Sequence, residues 1–321
     1  MRRGAGLLPE QTRAQRRGAE TPDPGHHHSL MSKLSFLIML VAGLLAPSLA
    51  AASDAACEDP RTLRVALIPK TNTQKQLQEF RPLEVELEKA LQRPVVVVAS
   101  PSYGSVIEGL LSDSIDLAEL GPAAYAMLMD RNAAVKPFAA NSGRGPAGAN
   151  VLAMYRSILI VRSNQGIAGI NDLRNRSLSL TDPASTSGSL VPRQFVKNKT
   201  GQSIDNYFSR ISFAGSHDRA IDAVRKGLVD AGFVSTARFE EALKLGRIAP
   251  GELAVVWQSE PIPYDPFVLR NRLCKSVVEK IHRVFFNAAP LRAMLESRGA
   301  EQFVPVTNAD YQVIRDLFSE R

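Results

Sequence analysis

The sequence predicts an α/β protein of two similar lobes, each a mostly parallel sheet flanked by helices, joined by a hinge that the chain crosses twice. Short β-rich runs alternate with longer stretches whose apolar residues recur at helical spacing, which indicates βαβ units. Two such series follow one another, and a helical tail follows the second. The segments at about 151–162 and 257–268 are the expected crossings, an arrangement typical of proteins that close over a ligand.

The first series has three strands and three helices. Strands are predicted at 63–68, 95–99 and 115–120, and helices at 75–91, 103–111 and 122–129. Pro122 suits the first turn of a helix. The segment NSGRGPAGAN (141–150) has little apolar content and is predicted to be a surface loop.

The second series repeats the alternation. Strands are predicted at 155–162, 177–181, 207–213, 229–234, 253–257 and 267–270, and helices at 170–175, 188–197, 217–226, 236–245, 276–286, 291–296 and after Asn308. If the tail returns to the first lobe, lobe 1 comprises residues 57–155 and 265–321, and lobe 2 comprises residues 156–264.

Charge excludes one class of partner. The formal net charge is +7, but from Ala51 onward 33 Lys+Arg face 29 Asp+Glu, an excess of +4. That mild excess favours the approach of an anion. Because it is scattered, with no basic stripe interleaved with aromatic residues, we expect no nucleic-acid partner. We expect a monomer.

The N-terminal residues 1–52 are predicted to lie outside the folded protein. Lys33 and the apolar run Leu34–Leu45 precede small-residue cleavage sites near Ala50, the pattern of a secretory signal peptide over about 31–52. Residues 1–30 are interpreted as an over-extended reading frame or a long basic region. Export places the mature protein in the periplasm.

The chain has two cysteines, Cys57 and Cys274. In an exported protein such a pair favours one disulfide over two free thiols. No cysteine–histidine cluster has the spacing of a metal site, so we predict no metal.

The segment TDPASTSGSLVP (181–192) is the most informative. A strand ends, Ser185, Thr186 and Ser187 follow, then Gly188, and then a helix begins. The first N–H groups of a helix favour an anion, and hydroxyl groups can donate to the same anion. Gly188 would let the backbone approach that anion closely. The alternative is ordinary helix capping, for which one hydroxyl would suffice.

Three more residues follow strands in the same way. Tyr103 and Tyr125 lie early in two helices of the first lobe, and His217 begins a helix of the second. Ligands of open α/β sheets bind beyond the carboxyl ends of the strands, so each side chain can reach a ligand as a donor. The alternatives are packing tyrosines and a surface histidine.

Asp265 and Tyr264 lie at the second crossing, in IPYDP. Asp265 can accept a hydrogen bond from a ligand or pair with a ligand amine; alternatively, it is a turn residue between prolines. Tyr264 is a weaker candidate. The sequence lacks the motifs of nucleophile elbows, phosphate loops, zinc proteases and dinucleotide sites, so we expect neither catalysis nor a cofactor.

From about residue 62 to about 290 the chain resembles the periplasmic phosphate/phosphite/phosphonate-binding components of ABC transporters. The resemblance is carried by LRVALIP, SYGSVIEGLLSDSIDLAELGPAAY, DPASTSGSLVP, GSHDRAIDAVRKGLVDAG and IPYDPFVLR. It implies a two-lobed type II binding protein, a small oxyanion ligand and an ABC permease as partner. The ligand-binding residues that it implies are Tyr103, Tyr125, Ser185, Thr186, Ser187, His217 and Asp265.

One departure bears on the ligand. Aminophosphonate-binding relatives tend to carry a second acidic residue where this chain has Ala237. We therefore expect phosphate, phosphite or a simple alkylphosphonate. Two alternatives remain open: an accessory protein that presents an oxyanion to a membrane histidine kinase, and a hydrolase or transferase acting on phosphoryl or acyl groups.

Overall fold

A computed structural model describes residues 57–131 and 134–319; the signal segment and residues 1–30 lie outside the described residues. The strands are β1 (Leu63–Leu67), β2 (Val95–Ala99), β3 (Leu117–Glu119), β4 (Val135–Arg144), β5 (Asn150–Leu152), β6 (Met154–Tyr155), β7 (Ser157–Arg162), β8 (Ser177–Leu180), β9 (Arg210–Phe213), β10 (Ala231–Ser235), β11 (Leu253–Gln258), β12 (Ile262–Pro263), β13 (Phe267–Arg270) and β14 (Phe303–Pro305).

The helices are α1 (Thr73–Leu91), α2 (Tyr103–Leu111), α3 (Pro122–Asp130), α4 (Val191–Thr200), α5 (Ile204–Tyr207), α6 (His217–Arg225), α7 (Thr236–Lys244), α8 (Lys275–Phe285), α9 (Ala288–Ser297) and α10 (Gln312–Ser319). A π-helical turn, Thr186–Leu190, leads directly into α4. No helix in the described ranges is long and apolar enough to cross a bilayer.

Within the described residues, the strands form sheets of seven, five and two strands. The first sheet has the order β14-β4-β13-β3-β1-β2, with β5 paired to β4. Strands β2, β1 and β3 are parallel, whereas β13, β4, β14 and β5 are joined by antiparallel pairs. Apolar clusters cover both faces of this sheet, which explains why β1 reads as a nearly continuous apolar run. This sheet and its helices are the first lobe.

The second lobe is built on the five-stranded sheet, order β11-β7-β10-β8-β9. Strands β10, β8 and β9 are parallel, and β7 pairs antiparallel with β10 and β11. The predicted α/β fold class is therefore confirmed. Both sheets are mixed rather than mostly parallel as predicted. In the first sheet the antiparallel pairs involve strands that follow the βαβ core in sequence, whereas in the second sheet the antiparallel strand β7 precedes it.

The hinge is the two-stranded sheet. Ile262 pairs with Tyr155, and Pro263 pairs with Met154, in antiparallel register. These two short strands lie in the two segments that were expected to cross between the lobes.

The predicted loop at 141–150 is wrong. Strand β4 runs on to Arg144, and a tight turn leads into β5, with which it forms a hairpin. Asn141 and Ser142 are buried, and the Ser142 hydroxyl accepts the N–H of Gln302 at 3.1 Å. Small polar residues can therefore fill an interior strand when a neighbouring backbone satisfies them.

The predicted strand at 207–213 begins too early. Ser203 caps the short helix α5, which ends at Tyr207, and the strand covers only Arg210–Phe213. The apolar residues Tyr207 and Phe208 are buried, which is why a strand pattern extends over them.

Cys57 and Cys274 form a disulfide bond across 217 residues of sequence. Cys274 is the residue immediately before α8. The bond therefore holds the first described residue against the C-terminal part of the first lobe.

Candidate functional site

Residues from both lobes and the hinge enclose a small cavity. The volume open to the centre of a water-sized sphere is about 30 Å³, about twice the minimum for one water. The lining residues are Ile68, Lys70, Tyr103, Gly121, Tyr155, Ser185, Thr186, His217, Ser235, Ala237, Arg238, Tyr264 and Asp265. A cavity of this size suits a compact ligand of a few heavy atoms.

Helix starts converge on this cavity. Among the described residues, five helical segments begin at it, each after a strand of one of the two large sheets: α2, α3, the turn Thr186–Leu190, α6 and α7. The N–H groups of a first helical turn lack intrahelical acceptors and carry partial positive charge. The cavity is therefore favourable for an anion before any charged side chain is considered.

Ser185 and Thr186 line the cavity with hydroxyl groups that are already fixed. The Ser185 Oγ accepts the N–H of Gly188 at 3.1 Å, and the Thr186 Oγ1 accepts the N–H of Ala123, from the other lobe, at 2.9 Å. A hydroxyl that accepts one bond still has its own proton to donate. Helix capping and anion binding, the two alternatives for this segment, are thus compatible here.

Ser187 and Gly188 do not line the cavity. The Ser187 carbonyl accepts a hydrogen bond from the Ser157 hydroxyl at 2.7 Å, and the Ser187 side chain forms a hydrogen bond with Tyr155. A Cβ on Gly188 would lie 2.1 Å from Thr181 Oγ1. Close packing against Thr181 is therefore sufficient reason for a glycine at this position.

The two predicted tyrosines have different environments. Tyr103, the first residue of α2, lines the cavity and hydrogen-bonds Ser185. Burial, with the nearby carboxylates of Asp265 and Asp182, raises the pKa of its phenol, so the hydroxyl stays protonated.

Tyr125 does not reach the cavity. It lies one turn into α3, packs edge-on against Tyr311 at 5.5 Å and donates its hydroxyl to Asn308. Burial raises its pKa to about 12. The structure therefore places Tyr125 in a packing environment, away from the residues that line the cavity.

His217 is a neutral donor with a fixed tautomer. Its Nδ1 accepts the N–H of Ser235 at 3.2 Å, so the single proton of the neutral ring is on Nε2. Burial, with the nearby Arg238 cation, lowers its pKa to about 3. At neutral pH the ring therefore carries no charge.

Asp265 lines the cavity beside a residue that the sequence analysis did not single out. The Lys70 Nζ lies 2.6 Å from Asp265 Oδ2 and 2.8 Å from Glu119 Oε1. Burial raises the pKa of Asp265, and Lys70 partly offsets this rise. Lys70 follows the buried strand β1 at its carboxyl end, and this position is the signal that would have identified it.

Tyr155 is a second residue that was missed. It belongs to hinge strand β6, lines the cavity and packs edge-on against Tyr264 at 5.7 Å. Burial raises its pKa well above the ordinary value, so it too remains a hydroxyl. A tyrosine at the start of a predicted crossing was the available signal.

Hydrogen bonds join the lobes around the cavity. The Thr71 hydroxyl donates to Asp218 at 2.7 Å, and Lys75 Nζ donates to Glu241 at 2.6 Å. These contacts, with that between Ala123 and Thr186, make this the closed arrangement of the two lobes. No cluster of histidine, cysteine or carboxylate residues that could hold a metal occurs in the part of the chain that the structure describes.

The model of one protein family, the periplasmic substrate-binding protein of ABC phosphonate transporters, matches residues 65–311. The chain belongs to this family. It is 31% identical over 302 residues to the phosphonates-binding periplasmic protein of Escherichia coli, covering 90% of this chain and 83% of that protein. It is 29% identical over 314 residues to a phosphate-import protein of Mycolicibacterium smegmatis, covering 91% of this chain and 95% of that protein.

Solved structures show the same fold. A binding-protein component of an ABC phosphonate transporter from Pseudomonas aeruginosa has a TM-score of 0.72 at 26% identity, covering 81% of this chain and 86% of that one. A Prochlorococcus marinus protein in complex with methylphosphonate has a TM-score of 0.73 at 21% identity, covering 82% of this chain and 98% of that one. The predicted resemblance, the two-lobed fold and the transport role are confirmed, and the family acts in the periplasm.

Proposed function

We propose that the cavity binds a small phosphorus oxyanion, namely phosphite, phosphate or a simple alkylphosphonate, and that the closed protein delivers it to an ABC permease. Phosphonate and phosphate appear in the names of two relatives, and methylphosphonate is bound in a third. The proposed ligand contacts are Tyr103, Tyr155, Ser185, Thr186 and His217.

One observation carries this proposal: uncharged donors from both lobes and the hinge face a single cavity of small volume. Ser185 and Thr186 are held as acceptors by backbone N–H groups, and His217 is held as an Nε2–H donor. Hydrogen bonds to charged groups stabilise by about 1.5–3 kcal/mol each. Donors fixed in advance replace the hydration of the anion without a further ordering cost.

Neutral donors also allow selection. The charge of Arg238, which also lines the cavity, attracts every anion, whereas hydroxyl and imidazole donors in fixed positions favour an anion of matching shape and protonation state. A ligand of the wrong shape leaves some of these buried polar groups without a hydrogen-bond partner, and the cost of this lowers its affinity further.

The proposed lobes are residues 57–155 with 265–321, and residues 156–264. Ligand release then requires that the contacts between Ala123 and Thr186 and between Thr71 and Asp218 open. Because these contacts form only when the lobes meet, the permease can distinguish the loaded from the empty protein by shape.

Three further features belong to the same proposal. Residues 31–52 are removed as a signal peptide, the mature protein is a monomer, and it performs no catalysis. Light scattering of the purified protein tests the second point. Incubation with phosphate monoesters and acyl esters tests the third, and turnover that disappears in a Ser185→Ala variant would contradict it.

Calorimetric titration of residues 53–321 tests the ligand assignment. Phosphite, methylphosphonate, phosphate, 2-aminoethylphosphonate and sulfate should be compared at pH 7.5. We expect at least one of the first three to bind more tightly than 2-aminoethylphosphonate and sulfate. Binding of none of the five, or tightest binding of 2-aminoethylphosphonate, would contradict the proposal.

A further inference from the structure

Four buried charged side chains lie together at the hinge side of the cavity. Lys70 contacts Asp265 at 2.6 Å and Glu119 at 2.8 Å, and Arg298 pairs with the same Glu119. The side chain of Glu119 is fully buried, and those of Lys70, Asp265 and Arg298 are at most 12% exposed. We call these residues the hinge quartet.

The hinge quartet carries two positive and two negative charges, so it is neutral as a whole. Two of its members, Lys70 and Asp265, line the cavity, whereas Glu119 and Arg298 are not among its lining residues. Burial lowers the pKa of Lys70, but Asp265 and Glu119 outweigh burial and leave it above its ordinary value. The Lys70 ammonium therefore stays charged.

This arrangement bears on ligands that carry an amine. A carboxylate in a binding cavity attracts a cationic substituent, and Asp265 would do so if it were unpaired. The Lys70 ammonium already lies against that carboxylate. A second ammonium brought to the same place would meet a like charge at close range in a poorly solvated site.

We propose that Lys70 is a specificity-determining residue, whose ammonium occupies the cation position beside Asp265 and restricts the site to oxyanions without a positively charged substituent. This inference rests on the proposed function. It goes beyond that function by assigning to Lys70 the selection against positively charged substituents, which Ser185, Thr186 and His217 do not provide.

A matched ligand pair tests the rule in the unmodified protein. Ethylphosphonate and aminomethylphosphonate have the same number of heavy atoms and differ in a methyl group against an ammonium group. In competition calorimetry against the tightest oxyanion, we expect ethylphosphonate to bind at least tenfold more tightly. Ethylphosphonate that binds no more tightly than aminomethylphosphonate, or that fails to bind, would overturn the inference.

A Lys70→Met variant tests the residue. Without the ammonium, Asp265 is free for the ligand, so we expect the ratio of the two dissociation constants to shift at least tenfold towards aminomethylphosphonate. The matched control is Lys75→Met, which removes another lysine from an ion pair between the lobes, with Glu241, but does not line the cavity. It should leave the ratio unchanged.

A second variant keeps the test usable if Lys70→Met does not fold, because a buried carboxylate left without its partner destabilises a protein. Lys70→Met combined with Asp265→Asn removes both charges and should keep the wild-type ratio within about threefold, since no free carboxylate remains. A ratio that shifts equally in the double variant would show that space, not charge, decides, and would overturn the inference.

The two proposals fail in different ways. A wild-type protein that binds no phosphorus oxyanion contradicts the proposed function itself. A protein that binds the oxyanion but gives the same ligand ratio in wild type and Lys70→Met contradicts only the role of Lys70.

Discussion

The two walls of the cavity handle charge differently. The second lobe contributes the neutral donors Ser185, Thr186 and His217, each fixed by a backbone N–H group; we call these three donors the neutral wall. The Arg238 guanidinium lines the cavity beside them. The wall at the hinge and the first lobe has the hinge quartet, in which charges neutralise one another. The comparison teaches that one small site can separate two tasks. The neutral donors recognise the oxyanion, and the paired charges select against a positively charged substituent on the ligand.

The largest expected effect comes from the neutral wall. Ser185→Ala combined with Thr186→Val removes two donors to a charged ligand, at about 1.5–3 kcal/mol each, so affinity should fall at least ~100-fold for every oxyanion. Calorimetry measures this fall, and the ligand ratio set by the hinge quartet should not change.

Ser189 provides the matched control for that variant. It lies in the same π-helical turn and does not line the cavity, and its buried Oγ has no hydrogen-bond partner among the residues that the structure describes. Ser189→Ala should therefore leave affinity within about threefold. An equal loss of affinity in both variants would show that the turn matters only for folding.

The disulfide should affect stability and not binding. The bond closes a long loop, with 217 residues of separation, and removal of such a bond costs about 2–5 kcal/mol of unfolding free energy. Urea denaturation of Cys57→Ser combined with Cys274→Ser should show this loss, with affinity unchanged at 10 °C. A lost affinity in folded protein would connect the disulfide to the cavity.

His217 predicts a specific dependence of stability on pH. Its pKa is about 3 in the folded protein against about 6.5 unfolded, so the unfolded state binds more protons between these values. Stability is therefore full above pH 6.5 and falls as the pH drops towards 3.

The size of this effect can be isolated by substitution. Between pH 7 and pH 5 the wild type should lose about 2 kcal/mol more unfolding free energy than His217→Gln, as measured by urea denaturation. Equal losses in the two proteins would contradict a buried neutral histidine and leave the neutral wall without one of its donors.

The smallest effects separate the two tyrosines. Tyr103→Phe removes a cavity hydroxyl and should reduce affinity about tenfold, whereas Tyr125→Phe removes a bond to Asn308 and should cost about 1 kcal/mol of stability with affinity unchanged. Calorimetric titration measures the affinity of each variant, and urea denaturation measures its stability. A loss of affinity in Tyr125→Phe, with the affinity of Tyr103→Phe unchanged, would show that Tyr125 and not Tyr103 contacts the ligand.

The sequence predicted those parts of the site that depend on local order. Ser185, Thr186 and His217 each begin a helix after a strand, and this local pattern was enough to place them at a sheet edge. The alternation of strands and helices likewise predicted the two lobes, because βαβ units impose their own topology.

Other parts depend on contacts between distant residues. Tyr103 and Tyr125 occupy similar positions in sequence, and only the packing of α3 against Tyr311 decides that Tyr125 turns away. The position of Lys70 after β1 could have placed it near the cavity, but its pairing with Glu119 and Asp265 depends on carboxylates far along the chain. Strand β4 was missed because the Asn141 amide oxygen and the Ser142 hydroxyl accept hydrogen bonds from partners near residue 300.

The most direct test is a crystal structure of the mature protein with methylphosphonate. We predict that the phosphonate oxygens accept hydrogen bonds from Ser185, Thr186 and His217, while Lys70 remains paired with Asp265. Two results would contradict the account: a Lys70 ammonium that has moved away from Asp265 and contacts the phosphonate, or a ligand bound outside this cavity.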